Sequence, residues 1–216
     1  MSNLKKFEEN CEYYRKYVTC LILNKKKYFT LWGADIEDRE NDKFVLNKFG
    51  KIALFKNVTE LFDSIKNKEL VFFDKNRTER WMNKSKDILN RKLIDSISNE
   101  YVFSLDQFLK IIPSRKSNIV KLSPLKYSLF IDIVNMIDDY EFQIGNKSLL
   151  KLRRNENVSL FWEYCYDRVL WGVKKEDKPK VNRLLLSKIK ISDLRKKVLE
   201  LHDIFLKNIR IVDYDK

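Results

Sequence analysis

YVTCLILNKKKYFTLWGA, residues 17–34, is two runs of β-branched and aromatic residues separated by a polar tetrapeptide. YVTCLIL (17–23) and YFTLWGA (28–34) predict strands, and NKKK (24–27) predicts a hairpin connection. Beyond the hairpin, DIEDREND (35–42) reads as a solvated acidic loop and KFVLNKFG (43–50) as a short strand ending in a turn at Gly50. KIALFK (51–56) adds a third main strand. Such short links join antiparallel neighbours, so the sheet is expected to be antiparallel. Asn57 followed by Glu60 fits an N-cap with an acidic third position, opening a short helix whose apolar face is Val58, Leu61, Phe62 and Ile65. LVFF (70–73) then reads as a buried strand.

From about residue 77 the helical period dominates. Residues 77–97 carry Trp81, Ile88, Leu89, Leu93, Ile94 and Ile97 at helical spacing. SLDQFLKII (104–112) begins with a capping box, Ser104 and Gln107, and stops at Pro113. Ser123 before Pro124 opens an apolar helix to about Ile137. Helices over 156–172 and 192–209 complete the chain, the last with a stripe of Leu194, Val198, Leu201, Phe205 and Ile209. The expected fold is α+β, a small N-terminal antiparallel sheet packed with a larger set of C-terminal helices. A single domain over 1–216 is expected, sheet-rich over 1–75 and helical over 76–216.

Composition narrows the function classes. The 216 residues are 44% hydrophobic and 13% aromatic, enough for a continuous core, and four glycines and three prolines leave little for linkers. No apolar run approaches the roughly 20 residues of a membrane span, so no membrane association is expected. The opening MSNLKKFEENCEYYRKY has no apolar signal segment, which predicts a cytoplasmic location. Cys11, Cys20 and Cys165 lack C-x-x-C spacing and are expected to be reduced thiols. Lys and Arg exceed Asp and Glu by 44 to 31, a net +13 that can attract nucleic acid, anionic lipid or an acidic protein.

Reaction chemistry finds little support. His202 is the sole histidine, read as a helix-surface residue, and Cys165 sits among apolar neighbours and reads as a buried small hydrophobe. Asp138, Asp139 and Glu141 offer oxygen ligands for a divalent cation, yet adjacent helical residues point about 100° apart and do not converge on one ion. No phosphate loop, nucleophile elbow or dinucleotide fingerprint occurs. No enzyme activity, metal or cofactor is expected. Segment 174–197, KKEDKPKVNRLLLSKIKISDLRKK, carries ten basic residues against Glu176, Asp177 and Asp193. It can follow a phosphate backbone, although it lacks the interleaved aromatics of a single-strand platform.

Four stretches in order resemble bacterial immunity proteins that guard against contact-dependent growth inhibition and related polymorphic toxins. They are residues 28–65, SLDQFLKII (104–112), FIDIVNMIDD (130–139) with Asp132, Asn135 and Asp139 in step, and YDRVLWG (166–172). Val134 stands where the family has tryptophan, and VKKEDKPK follows Gly172 where the family has a polar, proline-containing stretch. The resemblance implies a bacterial toxin inhibitor that binds the cognate toxin C-terminal domain stoichiometrically and occludes its active cleft, without chemistry of its own. Tyr166, Leu170 and Trp171 would then anchor a helix that Gly172 ends. Because the chain is basic, the expected partner is either an acidic toxin or one that meets a local acidic area. The candidate partner-binding residues are Asp35, Glu37, Asp38, Glu40, Asp42, Asp138, Asp139, Lys174 and Lys175. The alternative is a nucleic-acid-binding accessory protein using segment 174–197.

Overall fold

The computed structural model describes residues 2–99, 101–169 and 184–212. Contacts divide the chain into two compact units, Met1–Phe103 with Asn208–Lys216, and Ser104–Lys207. Strands and helices are both present and the fold is α+β.

Unit 1 begins with a helix, α1 (Asn3–Tyr14), capped at its start by Ser2 and ended by Arg15 in the left-handed conformation. Its buried residues Phe7, Cys11 and Tyr14 are spaced four and three apart, one helical face. The hairpin follows as β1 (Lys16–Leu23) and β2 (Lys26–Asp35), in antiparallel register from Lys16 opposite Gly33 to Leu23 opposite Lys26. Only Asn24 and Lys25 form the turn, both at positive φ, which matches the twist of the two strands. Then come β3 (Asn41–Phe44), β4 (Leu46–Asn47), β5 (Ile52–Leu54), α2 (Val58–Asp63), β6 (Leu70–Val71), α3 (Lys75–Lys86), α4 (Arg91–Ile97) and β7 (Val102–Ser104). At α2 the side chain of Asn57 accepts the Glu60 N–H at 2.8 Å, while the Glu60 carboxylate accepts the Lys56 N–H at 3.1 Å, so the expected cap forms.

Among the described residues there are two four-stranded sheets, in the orders β3-β2-β1-β7 and β6-β4-β5 followed by a last strand, β8 (Ile209–Ile211). Phe29 and Phe55 exchange backbone bonds of 2.8 Å between them. The strand β8 (Ile209–Ile211) comes from the far end of the chain and pairs with β5 in parallel. The expectation of a purely antiparallel, purely N-terminal sheet is corrected here. Ile209 leaves the helical stripe to which its spacing assigned it, because the helix ends at Lys207 and the next residues extend along an open strand edge. LVFF (70–73) is also less strand than expected: only Leu70 and Val71 pair, and Val71 is exposed. The expected helix over 77–97 is two helices, broken where Asn90 turns its side chain to cap the Leu93 N–H at 2.9 Å. In unit 1 Trp81, Met82, Leu93 and Ile97 share one core with Val18, Leu31, Phe55 and Phe62.

Two features fix where the strands of unit 1 meet its helices. At Gly33 the backbone of β2 passes so close to Arg15 that an added Cβ would lie 2.2 Å from the Arg15 carbonyl oxygen, the same oxygen that accepts the Ala34 N–H at 3.0 Å. Lys16, next along, is fully buried. Its ammonium donates to the Ala34 carbonyl and, at 3.1 Å, to Asp74 Oδ2, and lies 4.9 Å from the centre of the Phe73 ring. Burial lowers the Lys16 pKa, with Asp74 opposing the shift. Asp74 adopts a left-handed backbone at the start of α3, a conformation that Asp and Asn tolerate better than most side chains.

Unit 2 contains α5 (Leu105–Ile111), a 3₁₀ turn at Lys116–Lys121, α6 (Pro124–Ile144), α7 (Lys147–Arg153), α8 (Glu156–Val169), a helical segment at 184–188 and α9 (Ile191–Lys207). Ser104 caps α5 through the Gln107 N–H at 3.2 Å, as expected. The helix α6 continues two turns beyond Ile137 and ends at Gly145, so Asp138, Asp139 and Glu141 lie within it instead of at its end. Aromatic contacts hold the helices together. The Phe108 and Phe130 rings stack at 5.5 Å, Phe130 meets Phe161 edge-on at 4.7 Å, and Tyr140 meets Phe205 edge-on at 6.0 Å. Asn157 ties α8 to the start of α9, its amide donating to Asp193 at 2.7 Å and its oxygen accepting the Lys190 N–H at 2.6 Å.

Two substitutions test the strand–helix junction of unit 1. Gly33→Ala is expected to cost about 2–4 kcal/mol in urea unfolding, since Arg15 backbone and not a pliable side chain must yield. Lys16→Met leaves the Asp74 carboxylate, whose side chain is 3% exposed, without its cation and is expected to cost about 3–5 kcal/mol. Adding Asp74→Asn is expected to recover part of that loss, and strict additivity of the two single changes would contradict the coupling.

Candidate partner-binding surfaces

The acidic stretch 35–42 splits by environment. Residues 36–40 form an exposed turn, with Arg39 and Glu40 at positive φ, while Asp35 is buried at the end of β2 and Asp42 is half-buried on β3. Most of the charge is used within the unit. Lys43 reaches Asp35 at 2.9 Å and Asp38 at 2.6 Å, and Arg15 pairs with Glu40. Burial works against the Lys43 ammonium, but its bonds to Asp38 and Asp35 outweigh it and raise the pKa. The bond from Lys43 is also the main cause of the lowered Asp38 pKa. Burial raises the Asp42 pKa, with Arg15 and Lys16 opposing. Of the three exposed carboxylates, Glu37, Asp38 and Glu40, Glu37 forms no ion pair with a described residue, and its N–H is bonded to Asp35 Oδ1 at 3.1 Å.

The second group lies in unit 2, where α6, α7 and α8 build a mixed polar and aromatic face. Asp138 on α6 accepts from Arg153 Nε at 2.8 Å, and the Arg153 guanidinium lies 5.2 Å from the centre of the Trp162 ring. Burial raises the Asp138 pKa while Arg153 opposes it. Trp162 Nε1 donates to Asn135 Oδ1 at 3.1 Å, and its ring stacks on Tyr166 at 4.8 Å between centroids and 24° between planes. Trp162 and Tyr166 are four apart on α8 and both are half-exposed, while Asn135 is exposed. Asp139 is also half-exposed on α6. Trp162 and Arg153 are the residues that reading the sequence for carboxylates missed. The W-x-x-x-Y spacing on an otherwise polar helical face was the available signal.

Lys174 and Lys175 lie outside the described residues, as do Leu170, Trp171 and Gly172. In the described part of the basic segment, Lys188, Lys190, Arg195 and Lys196 are exposed, and Lys197 pairs with Glu200 at 2.9 Å.

Two of the thiols are enclosed by apolar packing. Cys165 is fully buried and its thiol pKa is pushed well up by burial. The buried Cys20 thiol is pushed up to about 11 for the same reason. A nucleophilic thiol requires the opposite shift. The expectation of a surface histidine is corrected: His202 is 8% exposed, stacks on Phe108 at 6.4 Å, and has Nδ1 3.3 Å from Asp203. It sits one residue along from Leu201 on the inner edge of the α9 stripe, and the packing of α5 against that edge closes over it. Among the described residues no group of three or more His, Cys, Asp or Glu side chains is disposed to hold a metal ion. No helix there is long and apolar enough to cross a membrane.

No family profile and no curated protein matches the chain. Among solved structures, the crystal structure of the SatS C-terminal domain in complex with bromine is similar, with a TM-score of 0.58 at 11% sequence identity. The match covers 94% of this chain and 96% of that one. The likeness is one of fold, and it extends through both the sheet-bearing and the helical parts of the chain.

Proposed function

We propose that the protein is a cytoplasmic immunity protein that neutralises one cognate toxin C-terminal domain by stoichiometric binding, occluding the toxin's active cleft. The observation that supports this reading is the cluster of Trp162, Tyr166 and Arg153 with Asn135 and Asp138. It draws on two of the stretches that carry the family resemblance, FIDIVNMIDD (130–139) and YDRVLWG (166–172), and joins them on neighbouring helices. Trp, Tyr and Arg are the side chains most enriched at the energetic centres of protein interfaces. Here they are held by one another before any partner arrives, which reduces the ordering entropy that binding would cost. A partner covering this cluster and its surroundings would need about 800 Å² on each side for a standard specific interface.

Charge favours one of the two expected kinds of toxin. Asp35, Asp38 and Glu40 are already paired with Lys43 and Arg15. A net +13 therefore remains the dominant long-range field, and it steers an acidic partner.

Co-expression with a candidate cognate toxin C-terminal domain is the test. Growth rescue and an equimolar complex are expected. Trp162→Ala and Arg153→Ala are each expected to weaken that complex by about thirtyfold or more, with the thermal midpoint of the free protein within a few degrees of the parent. Failure to rescue would count against the reading. So would tight, strongly salt-dependent retention on DNA or RNA, which belongs to a nucleic-acid-binding protein.

A further inference from the structure

Unit 1 contains a cavity of about 410 Å³ walled by α1, β1, the end of α4 and Tyr101. The volume lies within the range of small-ligand sites. Its inner wall is apolar, with Phe7, Cys11, Val18 and Ile97 all buried. Its mouth is aromatic, the Tyr17 and Tyr101 rings standing 5.5 Å apart between centroids at 55°. Glu8 and Glu12 line the same cavity from α1, and both are exposed.

Asp35, Asp38, Glu40, Asp63 and Glu69 are each paired with a lysine or arginine. Neither Glu8 nor Glu12 forms an ion pair with any described residue, although cations outnumber acids across the chain. They are also four apart on one helix, an arrangement in which like charges repel and destabilise the helix. Two carboxylates on the rim of an apolar, aromatic cavity offer acceptors to a cation whose stem enters it. Burial raises the Tyr17 pKa, with Cys11, Glu12 and Asp42 adding to the shift and Arg15 opposing it.

We propose that this cavity binds an alkylguanidinium cation, with the charged head between Glu8, Glu12 and the rings of Tyr17 and Tyr101, and the alkyl stem against Phe7 and Val18. A guanidinium suits the site because it stacks on aromatic faces while donating to carboxylates, and because its stem prefers apolar contact. The proposal needs no residue of α6 or α8 and stands apart from the toxin reading.

Chemical shifts of the Glu8, Cys11, Val18 and Tyr101 backbone amides test it in the whole protein. Butylguanidinium represents a free cation, a capped Gly-Arg-Gly peptide represents a protein side chain, and the same peptide with citrulline is the neutral control. Saturable shifts at these four positions with the arginine peptide and with butylguanidinium, but not with citrulline, support the proposal. A response to butylguanidinium alone supports it and assigns the site to a small free cation. Equal shifts with citrulline, or none with either cation, overturn it. The double variant Glu8→Gln, Glu12→Gln is expected to bind about five- to tenfold more weakly. Its thermal midpoint should equal or exceed that of the parent, since helical repulsion has been removed, so lost binding will not reflect lost folding. Unchanged affinity in this variant would also overturn the proposal.

Discussion

A lysine ammonium shut away from water constrains the architecture of unit 1. Lys16 has three N–H donors and no access to solvent, so each donor must find a partner inside the protein or the charge becomes too costly to bury. The partners come from separate parts of the chain: the Ala34 carbonyl at the end of the hairpin, the Asp74 carboxylate at the start of α3 and the face of the Phe73 ring. Satisfying one side chain therefore fixes the hairpin end against the helix that follows the second sheet. The close pass of Gly33 under Arg15 belongs to the same junction, because a side chain there would push β2 away and open the ammonium to water. The pair adds little stability of its own by the usual accounting of buried ions. It contributes definition, since few other arrangements of these segments would pair both charges.

The same electrostatic economy decides which acidic residues remain available to a partner. In a chain with thirteen surplus positive charges, an exposed carboxylate is readily captured by a neighbouring lysine or arginine, and most in the 35–42 stretch have been. Counting acidic letters in a loop therefore overstates its negative field. What matters is the charge left after internal pairing, and in the 35–42 turn the exposed carboxylate so left is Glu37. In unit 2 the carboxylate of Asp138 is likewise committed, and its guanidinium partner connects it to an aromatic stack.

Local chemistry in the sequence was a good guide wherever local chemistry decides the outcome. The hairpin, the Asn57 and Ser104 caps and the α9 stripe all follow from residues within a turn or two of one another. What was lost depended on distant partners. The parallel strand β8 exists because residues 209–211 find the free edge of β5, 157 positions away, and nothing in IRI by itself distinguishes that from the end of a helix. The helix α1 was obscured by alternating charges and tyrosines, although Phe7, Cys11 and Tyr14 carry its period. The candidate surfaces show the same division. Asp35 and Asp138 are visible in the sequence as carboxylates, but their pairing with Lys43 and Arg153 is a property of the folded chain. So is the meeting of Trp162 with Asn135.

A surface that is both exposed and stiff meets a conflict, because exposed aromatic side chains lose packing partners and gain rotamer freedom. The α6–α8 face resolves the conflict through sideways contacts. Trp162 is held along the helix by Tyr166, across to α6 by its indole N–H, and from α7 by the Arg153 guanidinium, which Asp138 in turn holds. Each ring keeps part of its surface toward solvent while its orientation is fixed by neighbours that are themselves fixed. Beneath it, Phe130, Phe161 and Tyr164 fill the interior between α6 and α8, so the face rests on packed rings and cannot easily sink or tilt. Three helices of unit 2 thus converge on one indole, and the rigidity of that outward-facing group derives from the core beneath it.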